Sequence, residues 1–422
     1  MKLLRAMTLL LFIPSGAFAF TADVSAKSAI VMNADTGQVI YQKNGYERVF
    51  PASTTKVATA IYALEKNRDF LDHNVVAEQD SIGAVTPEER RRGNYSGPSY
   101  RLMFGGTHMG IKKGEILPLR ALIYGLMLSS ANDAANVIAQ YTSGKIPVFM
   151  KEMNTYLAEI GCKNTQFNNP HGLHHPSHYT TPYDLALMAK KGLEDPLFRE
   201  VVSTVRYVRP KTNMQEPTTL VQGNRLLRAG PYKYEYAIGV KTGFTDNSGH
   251  NLVAAAEKNG RTLIAVVIGC PQSKDSFNDA IALFNAAFFE PPLEGTLIQE
   301  GVQPYKVSVP SSSPVQTYAT KTQTFKYYPS EEIKVKATIH SLDKELPIKK
   351  GDQVATVMFK DQHERVLGEA PLYSYKDVNG SIGHRLHLYY QARKGNLRMV
   401  MLGCIVVLCL LLGRKVIVKT NS

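Results

Sequence analysis

Ser53-Thr54-Thr55-Lys56 is the most informative stretch of this chain, because two partner motifs follow it in order. Ser130-Ala131-Asn132 lies within the apolar segment 117–138, and Lys241-Thr242-Gly243 precedes the apolar run 252–256. A serine and a lysine three positions apart on a helix lie on one face. An amine then comes within reach of a hydroxyl, which a weak oxygen nucleophile needs for activation. A lone Ser-x-x-Lys tetrapeptide is weak evidence for a catalytic serine, whereas the three motifs together are strong evidence for one.

The first two motifs supply the parts of an acyl-transfer site. Ser53, at a predicted helix N-terminus, is the candidate nucleophile, and Lys56, one turn later, is its candidate base. The helix dipole and the nearby cation of Lys241 are expected to lower the pKa of Lys56, so that part of it is neutral. Ser130 offers a second hydroxyl that relays a proton to the leaving amine. Asn132 offers an amide that orients Lys56 and holds a substrate carbonyl.

The third motif supplies further contacts with the substrate. Lys241, at the end of a predicted strand, offers a fixed cation to a substrate carboxylate, and Thr242 adds a hydroxyl. Gly243 lets the substrate backbone approach the strand closely. The backbone N–H groups of Ser53 and Phe244 are the candidate oxyanion hole.

This set of motifs resembles that of the penicillin-recognising acyl-serine transferases. Further stretches are similar to the low-molecular-mass penicillin-binding proteins that act as D-alanyl-D-alanine carboxypeptidases, namely residues 51–56, 132–135, 169–173, 183–186 and 239–245. The resemblance implies an α/β (α+β) β-lactamase/transpeptidase-like catalytic domain. It also implies a smaller all-β C-terminal domain and a C-terminal membrane anchor.

The same resemblance implies the reaction. A serine-type D-Ala-D-Ala carboxypeptidase removes the terminal D-alanine from peptidoglycan stem pentapeptides, here through an acyl-enzyme on Ser53 and with no cofactor or metal. β-Lactam antibiotics mimic the terminal dipeptide and are expected to acylate the same serine.

The chain departs from the family where the terminal carboxylate of the substrate is held. In relatives an arginine after the last catalytic-domain strand helps to bind it, and Ser276 stands at about that position here. Lys274 is one candidate substitute, and Arg225 together with Lys241 is another. His171, in a loop before a helix, is a further candidate that either contacts water near the acyl bond or is a structural loop histidine. Asp184 is expected to clamp a helix terminus or loop rather than to act as a base.

The N-terminus predicts export. Lys2 and Arg5 precede the apolar run 7–13, and Ala17-Phe18-Ala19 offers small residues at the two positions that a signal peptidase reads. Residues 1–19 are therefore predicted to be a signal peptide.

The C-terminus predicts anchoring. The apolar run 399–413 is flanked by cations but is shorter than the roughly 20 residues that a membrane span usually needs. We interpret residues 393–422 as a single-span anchor with a short cytoplasmic tail, in preference to an in-plane helix or a core helix. The protein body would then lie on the periplasmic side of the bacterial inner membrane.

Between the two ends the pattern predicts two domains. Residues 20–290 are expected to form the catalytic domain, with a β-hairpin over 28–41, a single helix over 117–141 and strands over 251–256 and 261–269. Composition shifts near Pro291-Pro292. Short β-type runs separated by turns follow and predict a small all-β domain over 291–392.

Composition sets wider limits. The 422 residues are 44% hydrophobic and 20% charged, and the formal charge of +13 raises nucleic acid as a partner. The predicted export and the lack of an aromatic-basic module argue against nucleic acid. Cys162 and Cys270 are permitted to pair in an oxidising compartment but are not required to. The histidines of one loop, His174, His175 and His178, are expected at the surface rather than on a metal.

Three alternative functions share this chemistry. A β-lactamase of similar fold uses a glutamate between the second and third motifs, and no matching Glu-x-x-x-Asn context is present. A penicillin sensor would carry several membrane spans before its binding domain. A peptidoglycan DD-endopeptidase differs only in its leaving amine, so it remains the nearest alternative.

Overall fold

The computed structural model describes residues 7–12 and 22–393, apart from positions 311, 332, 384 and 387. These residues divide into two compact units. The first holds the described residues from 22 to 291 together with Tyr328–Glu331, and we call it the catalytic unit. The second holds residues 7–12 and the rest of the chain beyond 291, and we call it the β unit.

A five-stranded antiparallel sheet lies at the centre of the catalytic unit. Its strands, in spatial order, are Ala237–Thr245, Gly249–Lys258, Arg261–Cys270, Ser28–Asn33 and Val39–Lys43. The N-terminal hairpin thus pairs with the last strand of the unit. Every residue of Arg261–Cys270 is buried, because helices cover both faces of the sheet.

The helices pack in two layers around this sheet. Ser273–Phe289 covers one face, and the apolar side chains of that helix and face form one core cluster. The larger cluster lies on the other face, where every residue of Lys56–Asn67 except Glu65 and Lys66 is buried. The remaining helices are Gln79–Ile82, Pro87–Arg92, Leu119–Leu128, Asn132–Ser143, Ile146–Glu159, Pro182–Leu193 and Pro196–Ser203, with 3₁₀ turns at Ala52–Thr55 and Arg68–Phe70. The unit is therefore an α+β fold, with one antiparallel sheet between two layers of helices, which agrees with the predicted class.

Short strand pairs connect the helices at the edges of the unit. Asn74–Val76 pairs with Ile116–Pro118, Ala84–Val85 with Leu102–Met103, and Arg206–Arg209 with Thr218–Val221.

The prediction of one helix over 117–141 is wrong. The helix Leu119–Leu128 ends before the second motif. A new helix, Asn132–Ser143, begins at the last residue of that motif. Ser130 has a φ of 57°, which lies in the left-handed region and interrupts the helical hydrogen bonds. The apolar periodicity continues through this break because both helices bury one face in the same core. The break leaves Ser130 in a turn and Asn132 at the start of a helix.

The β unit is built on a six-stranded sheet. Its strands, in spatial order, are Met7–Phe12, Lys334–Ser341, Gln353–Lys360, Val366–Ser374, Val315–Ala319 and Gly301–Val307, and Leu293–Ile298 pairs separately with Gln323–Tyr327. Alternate residues of Lys334–Ser341 and Gly301–Val307 are buried, as in strands with one face on a core. Met7–Phe12, predicted to belong to a signal peptide, forms an edge strand here.

The predicted anchor run 399–413 lies outside the described residues. Within the described part of the chain, no helix has the length and apolar character that crossing a membrane requires. Cys162 and Cys270 are both free. The thiol of Cys162 donates to the backbone carbonyl of Asp184, and that of Cys270 donates to the carboxylate of Asp279.

Candidate active site

A 3₁₀ turn presents the first motif. Ser53 lies in the turn Ala52–Thr55, partly exposed, and Lys56 is the first residue of the buried helix that follows. Ala52 has a φ of 50°, and the loop containing Gly172 packs directly on its carbonyl. A Cβ at Gly172 would lie 1.9 Å from that oxygen, so only glycine allows the approach.

Lys56 has three polar contacts and is fully buried. Its Nζ lies 2.7 Å from Asn132 Oδ1, 2.7 Å from the backbone oxygen of His171 and 3.0 Å from Ser53 Oγ. Burial, and then the charge of Lys241, hold the pKa of Lys56 well below its usual value. A neutral amine has two N–H donors and one lone pair. Because the amide and backbone oxygens only accept, they take both donors, and the lone pair faces the Ser53 hydroxyl.

The second motif is fixed by backbone hydrogen bonds around its turn. The N–H of Ala131 donates to the carbonyl of Gly125, and the N–H of Asn132 donates to the carbonyl of Thr107. Ser130 is partly exposed, while Asn132 is buried. Since Asn132 Oδ1 is engaged by Lys56, the side-chain NH₂ of Asn132 remains as the donor for a substrate carbonyl.

The third motif lies on the edge strand Ala237–Thr245, beside the nucleophile. A Cβ at Gly243 would lie 3.1 Å from the backbone nitrogens of both Ser53 and Thr54, so glycine allows strand and turn to meet. The backbone N–H groups of Ser53 and of Phe244, the neighbour of Gly243, are thereby near one another. Thr242 is partly exposed, and a Cβ at Gly223 would lie 3.4 Å from its Oγ1.

Lys241 is almost entirely buried. Its Nζ donates to the backbone oxygen of Thr242 at 2.9 Å. Burial lowers the pKa of Lys241 to about 7, so the amine is partly charged at neutral pH. A substrate carboxylate beside it would favour the charged form.

Three residues to which the sequence assigned no role in the site hold the motifs in place. The side-chain amide of Asn251 donates to the backbone oxygens of Phe50 and Pro51, just before the nucleophile turn. The carboxylate of Asp133 accepts from the backbone N–H groups of Met109 and Ile111, which fixes the segment beside the second motif.

The third of these residues is His178. The expectation of a surface histidine is wrong for His178, which is buried against Phe167. The backbone N–H of Asn168 donates to His178 Nδ1, so Nε2 carries the proton and donates to Thr55 Oγ1 at 2.9 Å. Burial lowers the pKa of His178 to about 3, and the neutral ring supports the nucleophile turn.

His171 acts on Lys56 through its backbone. Its ring is buried, with Nε2 3.1 Å from the backbone oxygen of Tyr100, and Nδ1 accepts from the N–H of Leu173. Both ring nitrogens are therefore occupied. Burial holds the pKa of His171 well below its usual value, so the ring is neutral.

Arg225, Ser276 and Lys274 are the remaining candidates for the substrate carboxylate site. The guanidinium of Arg225 stacks on Tyr232, 4.3 Å from the ring centre, and also lies over Phe277. Ser276 is buried on the helix Ser273–Phe289, where its hydroxyl donates to the backbone oxygen of Ser273. Lys274 is exposed on the first turn of that helix.

Asp184 has the geometry of a clamp. Its carboxylate accepts from the N–H of Asn164 and from the hydroxyl of Thr165, at 2.8 Å and 2.7 Å. These bonds join the first turn of Pro182–Leu193 to the preceding loop.

Comparisons with known proteins agree with this geometry. The chain is 30% identical over 394 residues to the D-alanyl-D-alanine carboxypeptidase DacF of Bacillus subtilis. The aligned region covers 89% of this chain and 93% of that protein. Penicillin binding protein 5 from Haemophilus influenzae superposes with a TM-score of 0.57 at 25% identity, covering 85% of this chain and 99% of that one. A mutant of the Streptomyces K15 DD-transpeptidase superposes with a TM-score of 0.55 at 28% identity. This superposition covers 64% of this chain and 100% of that one.

The family described as D-alanyl-D-alanine carboxypeptidase matches residues 16–272, which include all three motifs. This match and the similarity to DacF along nearly the whole chain lead to one conclusion. The chain belongs to the D-alanyl-D-alanine carboxypeptidase family of serine peptidases.

Proposed function

We propose that this enzyme removes the terminal D-alanine from peptidoglycan stem pentapeptides through an acyl-enzyme on Ser53. Ser53 Oγ attacks the carbonyl carbon of the penultimate D-alanine, and the bond to the terminal alanine nitrogen breaks. Lys56 accepts the hydroxyl proton, and Ser130 gives its own proton to the departing amine and receives the proton of Lys56 in its place. A water molecule then attacks the ester carbonyl, Lys56 accepts a proton from that water and passes it to Ser53 Oγ as the ester bond breaks, and the shortened peptide leaves with a new carboxyl group.

The other motif residues bind the charges of the reaction. The backbone N–H groups of Ser53 and Phe244 would hold the developing oxyanion. Lys241 and Thr242 would bind the terminal carboxylate, and the side-chain NH₂ of Asn132 would hold the carbonyl of the residue before the dipeptide. Arg225 is a weaker candidate for the carboxylate, because its guanidinium is already stacked on Tyr232.

The single observation that carries this proposal is the environment of Lys56. Its amine is buried, and Nζ lies 2.7 Å from Asn132 Oδ1 and from the backbone oxygen of His171 and 3.0 Å from Ser53 Oγ. Burial lowers the pKa of Lys56, which favours the neutral amine that a general base requires. Acylation should therefore slow as pH falls, because protonation of Lys56 removes the base.

Mass spectrometry of a pentapeptide ending in D-Ala-D-Ala tests the reaction directly. Incubation with the enzyme should give loss of a single alanine. Cleavage of crosslinked dimers alone would favour the DD-endopeptidase alternative instead. A β-lactam should acylate Ser53 and block the reaction, since it mimics the terminal dipeptide.

For the location of the enzyme we propose that residues 1–19 are a signal peptide and that residues 393–422 anchor the protein in the bacterial inner membrane. The catalytic domain, 20–290, and the β domain, 291–392, would then lie on the periplasmic side. Cleavage after Ala19 would remove Met7–Phe12 from the β unit. A chain ending before Leu397 should appear in the soluble exported fraction and keep its activity on small peptides. Pelleting of that shorter chain with membranes would contradict the anchor.

A further inference from the structure

The segment 103–108 forms a wall beside the second motif. The carbonyl of Thr107 accepts the N–H of Asn132 at 2.9 Å. Gly106 lies next to the side chain of Asn132, and a Cβ there would lie 3.2 Å from Asn132 Nδ2. Because Gly106 has no side chain, no Cβ crowds the amide that would hold a substrate carbonyl.

Phe104 stands two residues from Gly106 and is 63% exposed. Two residues span at most roughly 7 Å, so the backbone of Phe104 is close to the Asn132 amide. The N–H of Phe104 donates to the carbonyl of Val85, which fixes its backbone to the neighbouring strand. Phe104 thus presents an exposed ring on a segment that is hydrogen-bonded in place beside the second motif.

A second exposed aromatic ring lies on the third motif. Phe244 is 52% exposed and stacks on His250 with ring centres 4.3 Å apart. Its neighbour Gly243 packs against Ser53, whereas Phe104 neighbours the Asn132 amide. The two rings thus belong to different walls of the site, and each wall would meet a different part of the peptide.

We propose that Phe104 determines specificity by contacting the aliphatic side chain of the residue that precedes the terminal D-Ala-D-Ala. This inference rests on the proposed function. With the scissile carbonyl at the N–H groups of Ser53 and Phe244, the preceding carbonyl reaches the amide of Asn132. The side chain of that residue then projects toward Phe104. Its methylene groups lose water against the ring, and this contact favours a long aliphatic chain.

Two short peptides test the inference, both ending in D-Ala-D-Ala. One carries Nα,Nε-diacetyl-lysine before the dipeptide, and the other carries Nα-acetyl-glycine. The native enzyme should cleave the lysyl peptide with a kcat/KM about 10-fold higher, as expected for a modest apolar contact. Phe104→Ala should bring the lysyl peptide down to the level of the glycyl peptide and leave the glycyl peptide unchanged. Phe104→Leu should keep part of the preference.

Phe70→Ala is the matched control. Phe70 is 45% exposed and follows the far end of the helix Lys56–Asn67, roughly 20 Å from Lys56. This variant should keep the native preference. An equal loss on both peptides in Phe104→Ala, or no preference in the native enzyme, would overturn the specificity role. Failure of the native enzyme to cleave either peptide would instead overturn the proposed function and the inference with it.

Discussion

Replacement of Lys241 by methionine should stabilise the protein while weakening its binding of substrate. Methionine has a similar length and no charge, so Lys241→Met removes a buried amine with little change of volume. Burial lowers the pKa of Lys241 from 10.5 to about 7. Each tenfold change in proton affinity is worth roughly 1.4 kcal/mol, so the buried amine costs at most about 5 kcal/mol at low pH. Lys241→Met removes this cost, and the loss of the hydrogen bond to the backbone oxygen of Thr242 reduces the resulting stabilisation by about 1 kcal/mol.

The pH dependence of the gain follows from the direction of the pKa change. Between about pH 7 and pH 10 the unfolded chain holds a proton on Lys241 that the folded protein releases. The stability of the native enzyme therefore rises with pH across this window, and the contribution of Lys241 to that rise is absent from the variant. We expect the variant to be more stable by about 2–4 kcal/mol at pH 7, with a difference that shrinks toward zero near pH 10.

Urea denaturation of both proteins at pH 7, 8.5 and 10 measures this difference. Steady-state kinetics on the same samples should show a higher KM for a D-Ala-D-Ala peptide, since the variant lacks the cation for the carboxylate. A variant less stable than the native enzyme at pH 7, or a stability difference that does not change with pH, would refute the reasoning.

Three further substitutions test other contacts. Ser53→Ala should abolish covalent labelling by a fluorescent penicillin while the thermal midpoint changes little, because it removes the hydroxyl and only one part-buried hydrogen bond, that with Lys56; an adduct that persists on the variant would identify another nucleophile. Asn251→Leu should lower the free energy of unfolding by about 2 kcal/mol and slow acylation, because the two carbonyls before the nucleophile turn lose their donor; unchanged acylation in stopped-flow labelling would contradict its positioning role. Glu331→Gln should cost about 3 kcal/mol in denaturant unfolding, because it weakens the buried ion pair with Arg261, 2.6 Å away; full stability would show that Arg261 is satisfied without it.

The core of the site could be predicted from sequence because each motif is local. Ser53 and Lys56 are one turn apart on any helix, and the order of the three motifs gave their roles. The positions of Asn251 and His178 could not be predicted, because each acts on a segment far away in the chain. No periodicity or spacing marks such a contact.

Two further features have physical causes that the sequence does not reveal. Arg225 is a candidate for the carboxylate on charge alone, and the structure adds an aromatic partner for its guanidinium in Tyr232. The helix over 117–141 was predicted from continuous apolar periodicity, which cannot reveal a single residue with positive φ. Ser130 has that backbone conformation because Ala131 and Asn132 are held by carbonyls of other segments.

The segment Tyr328–Glu331 affects how the chain is completed during synthesis. It lies between two strands of the β unit but belongs to the catalytic unit, where Glu331 accepts hydrogen bonds from Asn33 and Arg261. Domains commonly fold in order as the chain emerges. Here Glu331, a buried partner of Arg261 in the catalytic unit, is synthesised only after the strand Gln323–Tyr327. A protein cut after Pro291 would leave the guanidinium of Arg261 without Glu331, so the boundary along the chain is not the boundary of independent folding.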